Sequence, residues 1–168
     1  MDYQMTVAES KAIVRRFYEE LWNERRIEIA DEIFAPDCVT HQLQSGSEDV
    51  GAPRNGEAIK HHVAAWLAGF ADLHFEVEEI FAEADRVVSR CVAHGTHTGT
   101  WFGIKPTGKR VSIRMVVIHR LKNGKIAEDW VLVESLGFLQ QLGLLPPTAA
   151  ILESAVLKEP QTQGETSK

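Results

Sequence analysis

Asp129 and His119 are the residues whose types and spacing best suit acid–base chemistry in this chain. They lie on two strand-like segments, Val111 to Leu121 and Lys125 to Glu134, joined by Asn123-Gly124, a strong hairpin signal. Alternate residues of a strand share a face, so Asp129 shares one with Val131, about 7 Å along. The turn decides what faces Asp129. A two-residue Asn-Gly loop pairs Lys122 with Lys125. A three-residue loop closing in a bulge pairs Leu121 with Lys125 and puts Asp129 opposite Val117 and diagonal to His119. Diagonal side chains can meet across a sheet, and a His–carboxylate pair can serve as general base and orienter. The competing reading leaves both at a solvated rim near the turn.

Other polar candidates surround this pair. In His94-Gly95-Thr96-His97-Thr98-Gly99 the two histidines are three apart on a strand, so they face opposite sides. Only one can reach an interior. The same splay argues against a metal site built on both. His41 ends a short strand before a long loop, at the mouth of any pocket or satisfied by backbone. His61-His62 reads as helix surface, His74 as a strand start, and Glu134 as a cap for the last short helix. Tyr18 could offer a hydroxyl to an enolate, but its helical spacing favours packing. Trp66, Trp101, Phe17, Trp22 and Phe102 read as core or pocket wall.

The elements that position these residues follow from periodicity. Thr6 and Glu9 form a capping-box pattern ahead of a helix to Asn23, with Val7, Ile13, Val14, Phe17, Tyr18, Leu21 and Trp22 at helical spacing. A short helix from Ile27 to Phe34 stops at Pro36. Cys38 to His41 is a short strand, and Gln44 to Gly56 a Ser/Gly/Asp/Pro-rich loop. A third helix starts near Asn55. Strands follow at Phe75–Ile80, Arg86–Thr98 and the hairpin above. Leu136 to Leu142 is a helix stopped by Gly143. Thr148 to Leu157 is a further amphipathic helix, and Pro160 to Lys168 is polar enough to be disordered. Helices segregated from a mostly antiparallel sheet give an α+β domain, 1–147, with 148–168 as a tail. A curved sheet of this kind encloses a cavity against its helices.

Composition narrows the partners. Net charge is −6 with no basic face, which argues against nucleic acid. Arg15-Arg16 and Arg25-Arg26 read as solvated helix surface. There is no membrane-length apolar run and no cleavable leader pattern, and Cys38 and Cys91 read as buried free thiols. The expectation is a cytoplasmic protein with no membrane partner.

Val14-Arg15-Arg16-Phe17-Tyr18-Glu19-Glu20-Leu21-Trp22-Asn23, Phe34-Ala35-Pro36-Asp37-Cys38-Val39-Thr40-His41, the Gly95-Thr96-His97-Thr98-Gly99 turn, Asn123-Gly124-Lys125-Ile126 and Leu136 to Gly143 together resemble the SnoaL-like polyketide cyclase (ester cyclase) family. The resemblance implies an NTF2-like cone with helices over the concave face of the sheet, a small-molecule pocket, a homodimer, and no metal or organic cofactor. It implies His97 as a pocket position, and intramolecular aldol closure driven by an Asp on the last long strand. That Asp aligns with Val131 here, and its polar partners with Met115 and Val117. The three-residue loop is preferred because it puts Met115, Val117 and His119 on one face with Asp129 and Val131.

Three functions remain open. One is a cyclase or isomerase in which Asp129, with His119 or His97, replaces the lost Asp; enzyme activity is the favoured expectation. Another is a binding or accessory protein whose pocket, lined by His41, Trp66, Trp101, Met115, Val117, Val131 and Tyr18, has lost the chemistry. The third is a hydrolase or dehydratase; its Asp-Arg-Asp set cannot be assembled because Arg114 points away. Arg114, Glu128 and Trp130 on the opposite sheet face suggest a dimer surface, or a structural salt bridge.

Overall fold

The computed structural model describes residues 5–43, 48 and 50–156. Helix α1 (Val7–Arg16) opens with the expected capping box: Glu9 N–H donates to Thr6 Oγ1 at 3.2 Å, and Thr6 N–H donates to Glu9 Oε2 at 2.8 Å. Thr6→Ala should cost about 1 kcal/mol in a urea melt; no change would mean that the cap is not formed in solution. The helix continues as a wider-turned segment, Phe17–Asn23, that buries Phe17, Tyr18, Leu21 and Trp22. The expected second helix is shorter: a 3₁₀ turn at Ile27–Ile29 and α2 (Ala30–Ile33), after which strand β1 (Phe34–Gln42) begins.

Strand β2 (Ala52–Pro53) pairs with β1, and α3 (Gly56–Gly69) starts at Asn55, whose side chain accepts from Ala58 N–H. Then come β3 (His74–Glu83), β4 (Arg86–Thr96), β5 (Arg110–Lys122) and β6 (Lys125–Val133), followed by α4 (Ser135–Leu142) and α5 (Thr148–Val156). Glu134 does cap α4, accepting from Gly137 N–H, and Gly143 ends it at φ +77. Every residue of α5 is exposed. The polar stretch from Pro160, expected to be disordered, lies outside the described residues.

The fold is α+β, with a curved six-stranded sheet in the order β2-β1-β6-β5-β4-β3. The sheet is not wholly antiparallel, because β1 runs parallel to β6. Its concave face packs on α1, its continuation and α3. Phe17 and Trp22 meet edge to face, Trp22 lies 4.8 Å from Phe75, and Tyr18 lies 5.7 Å from Phe75. Each such buried aromatic contributes roughly 2–3 kcal/mol by burial alone. Cys38 and Cys91 are buried free thiols, and burial raises their pKa values to about 12 and about 11.

The hairpin resolves the register differently from the expectation. Lys122 pairs with Lys125 across a two-residue turn, with Asn123 and Gly124 both at positive φ. A bulge between Arg120 and Leu121 on one side, absorbing Ala127 on the other, then shifts the pairing by one. His119 therefore faces Asp129 directly, Val117 faces Val131 and Met115 faces Val133. The shared face is as expected; the diagonal relation of Asp129 to His119 is not.

Candidate functional site

Between the concave face and the helices lies a cavity of about 110 Å³. A dry cavity of roughly 150 Å³ takes benzene, so this one alone falls a little short of a single ring. Its wall is mainly apolar: Phe17, Tyr18, Trp22, Trp66, Phe75, Met115, Val117 and Val131. His119, Asp129, Arg54 and His62 bring polar groups, and exposed Gln42 stands at the mouth. A second groove, with Trp101, Phe138 and Leu43, shares Gln42, Trp66, Val131 and Val133 with the cavity. The two therefore adjoin.

Strand alternation places the polar set. Thr40 of β1 pairs in register with Asp129 of β6, and its hydroxyl donates to Asp129 Oδ1. Asp129 is 4 % exposed and Thr40 equally buried. Asp129 Oδ2 has no hydrogen bond among the described residues and is left to the cavity. His119 is fully buried among Phe17, Tyr18 and Asp129, and neither ring nitrogen has a hydrogen-bond partner. Burial lowers its pKa to about 4 against the opposing pull of Asp129, so the imidazole is neutral at pH 7.

Arg54 was not foreseen. It sits between β2 and the Asn55 cap, where its backbone N–H donates to Cys38 O at 2.7 Å. This anchoring turns a loop residue inward. Its Nη2 reaches Thr40 Oγ1 at 3.4 Å, so the Thr40 hydroxyl links Arg54 to Asp129. His62, on α3, is pushed down to about 3, first by burial and then by Arg54. The available signals were weak: the Cys38/Thr40/Gln42 alternation, and an arginine next to a helix cap.

Several expected site residues lie elsewhere. His41 is one residue out of phase with Thr40, so it points to the opposite sheet face. There it stacks on Trp130 at 5.2 Å and contacts Glu128 Oε1 at 2.9 Å. His97 does not line the cavity. It is buried against Phe70, with Nδ1 3.3 Å from Thr107 N–H, and its backbone bonds Lys109 and Gly108. It fastens the loop after β4. Trp101 lines the adjoining groove rather than the cavity. Tyr18 lines the cavity with its ring, but its hydroxyl is held by Ser89 at 2.7 Å. His94 is on the other side of β4, against Ser112. Trp66, Met115, Val117 and Val131 lie in the wall as expected.

On the outer face Glu128 bridges Arg120 at 2.8 Å, Arg86 lies 4.6 Å above the Trp130 ring, and exposed Arg114 reaches Glu78 at 3.9 Å. Among the described residues no His/Cys/Asp/Glu cluster suits a metal ion, and no helix is long and apolar enough to cross a membrane.

The SnoaL-like polyketide cyclase family model matches residues 12–142, most of the chain. The chain belongs to the SnoaL-like polyketide cyclase family. Among solved structures it is similar to AclR, a proposed hydroxylase from Streptomyces galilaeus, at 32 % identity and TM-score 0.74, covering 90 % of this chain and 93 % of that one. It is also similar to IdmH, a proposed polyketide cyclase from Streptomyces antibioticus, at 29 % identity and TM-score 0.66, covering 80 % and 98 %. A SnoaL-like protein from Jannaschia, at 21 % identity and TM-score 0.72 over 88 % and 99 %, shares the fold. No curated protein matches the chain significantly. Within this SnoaL-like, NTF2-like fold, Val131 stands in the cavity wall two residues from Asp129.

Proposed function

We propose that this SnoaL-like protein abstracts a proton next to a carbonyl of a small, largely apolar substrate, with Asp129 as the base. The observation that carries this reading is the buried Asp129 carboxylate, tied at one oxygen by Thr40 and set beside its cross-strand partner, neutral His119, in the wall of an apolar cavity. Oδ2 takes the proton. His119, as a neutral imidazole, donates N–H to the carbonyl oxygen as enolate charge develops there. Protonated, it would oppose Asp129's charge and compete for the carboxylate; a pKa near 4 keeps it out of that state at pH 7.

An enolate formed here can close onto an electrophilic carbonyl carbon of the same ligand, whose oxygen then takes back the proton held by Asp129; the cyclase role proposed for IdmH supports this. Intramolecular aldol closure is therefore the outcome we favour. The adjoining groove would take the rest of a ligand longer than one ring. A second reading is binding without chemistry: Val131, Val117 and Met115 make the cavity wall apolar, where the resemblance expects a cyclase's polar residues.

The experiment is solvent-deuterium incorporation at the α-carbon of ethyl benzoylacetate, followed by NMR. Exchange above the buffer rate, at a rate that saturates with probe, supports catalysis. Binding without exchange supports the accessory reading.

A homodimer is part of the proposal. The outer sheet face carries half-exposed Leu132 beside Val116 and Ile118. Leu132→Asp should shift a dimer to monomer in sedimentation equilibrium. A wild-type monomer, or a variant still dimeric, would assign no dimer role to that face.

A further inference from the structure

Arg54 is the strongest unexplained group in the molecule. It is 8 % exposed, it lines the cavity, and its Nε has no hydrogen-bond partner. Its only side-chain bond among the described residues is the long one to Thr40. A guanidinium has five N–H donors, and leaving them unused in a buried site is costly. Among the described residues no carboxylate pairs with it directly; Asp129 is reached through the Thr40 hydroxyl.

We propose that Arg54 is an oxyanion-binding residue: it receives the enolate or phenolate oxygen of the ligand, and it makes the site selective for neutral compounds that carry an acidic hydroxyl or an enolisable carbonyl. This rests on the reading of Asp129 as the base, and deepens it. The charge balance of the cavity supplies the reason. Arg54 is positive, Asp129 negative, and His119 and His62 neutral, so the empty site holds no net charge. When a ligand C–H or O–H proton moves to Asp129 Oδ2, the carboxylate becomes neutral and the ligand oxygen takes its negative charge. No net charge is created, and Arg54 exchanges one anionic partner for another. A ligand that arrives as a carboxylate, by contrast, leaves two anions facing one cation in an apolar space.

Among the described residues, the groups facing Arg54 are Asp129, the Cys38 thiol and His62. His119 and Tyr18 complete the ionisable set around the cavity. Burial keeps both thiol and phenol protonated at neutral pH. Among the described residues Asp129 is therefore the group that competes with a ligand anion for Arg54.

The test uses single-ring probes that occupy the cavity and extend into its adjoining groove: 4-nitrophenol, 4-nitroanisole and 4-nitrobenzoate. Absorbance distinguishes phenol from phenolate, so ionisation of the bound ring is read without turnover. Wild type should bind nitrophenol as phenolate, with its apparent pKa lowered by about one unit, and about tenfold tighter than nitroanisole or nitrobenzoate. Arg54→Gln should abolish both the shift and the preference, and Arg54→Lys should restore part of the shift. Asp129→Asn should tighten phenolate binding about tenfold, because it removes the competing anion. Wild type that binds nitroanisole as well as phenolate overturns the proposal, as does Arg54→Gln with an undiminished shift. The wild-type comparisons need no Arg54 variant, so they decide the matter even if Arg54→Gln does not fold. Phenolate preference without deuterium exchange would keep the oxyanion site and discard Asp129's catalytic role. Exchange with no phenolate preference would do the reverse.

Discussion

Asp129→Asn is expected to slow deuterium exchange into ethyl benzoylacetate by about 10²- to 10⁴-fold, the range that a positioned general base supplies. The substitution is nearly isosteric. Asn retains an oxygen to accept from Thr40, so the cross-strand bond between β1 and β6 survives. What disappears is the second oxygen's capacity to take a proton. Arg54 also loses its nearest counter-charge, so a stability loss of roughly 1–3 kcal/mol is expected, and rates must be compared well below both melting temperatures. His119→Leu removes a hydrogen-bond donor and leaves the base in place, so its loss should be smaller, on the order of 10²-fold. A folded Asp129→Asn protein that exchanges deuterium at the wild-type rate would exclude Asp129 as the base. Substituting His97, which fastens the 97–109 loop outside the cavity, should alter stability more than rate.

Lowering the pH from about 6.5 to about 4 is expected to cost the fold a few kcal/mol before most carboxylates titrate. His119 has a native pKa of about 4 against an ordinary 6.5, because burial disfavours its charged form. Between those values the unfolded chain binds a proton that the native chain refuses. Stability is therefore complete above pH 6.5 and falls as pH drops toward 4. A shift of that size corresponds to about 3 kcal/mol. His62, pushed to about 3 by burial and by Arg54, acts in the same direction, and its partial exposure reduces its share. Urea midpoints at pH 7.5, 5.5 and 4.5 should fall steadily for wild type. His119→Leu should flatten much of that slope, and His62→Gln a smaller part. A wild-type midpoint that does not move between pH 7.5 and 5 would contradict the buried neutral state of both histidines.

Much of this architecture is written in local pattern. The capping box at Thr6, the apolar helical spacing through Trp22, the Asn123-Gly124 turn and the Gly143 stop each depend on residues within a few positions of one another. Strand alternation likewise fixed that Asp129 and Val131 share a face. Joined to the family resemblance, it set Met115, Val117 and His119 on that face too, where all of them line the cavity. These features were legible because helix and strand periods are properties of the chain itself.

Tertiary structure alone decided the rest. The bulge that absorbs Ala127 makes His119 the direct partner of Asp129, and such a bulge depends on how the whole sheet twists. The parallel pairing of β1 with β6 brings Thr40 to Asp129 across 89 positions, and the same pairing turns His41 outward to Trp130. One step of alternation separates the two, and the strand's pattern did not say which step faced the cavity. Arg54 is the clearest case. In sequence it is a charged residue in a polar loop, where solvent is the ordinary destination. Its backbone bond to Cys38 and the nearness of β2 to α3 turn it inward, to a hydroxyl and a carboxylate that no local spacing connects to it. Periodicity thus determined which residues could face a cavity, and long-range strand pairing determined which polar groups meet there.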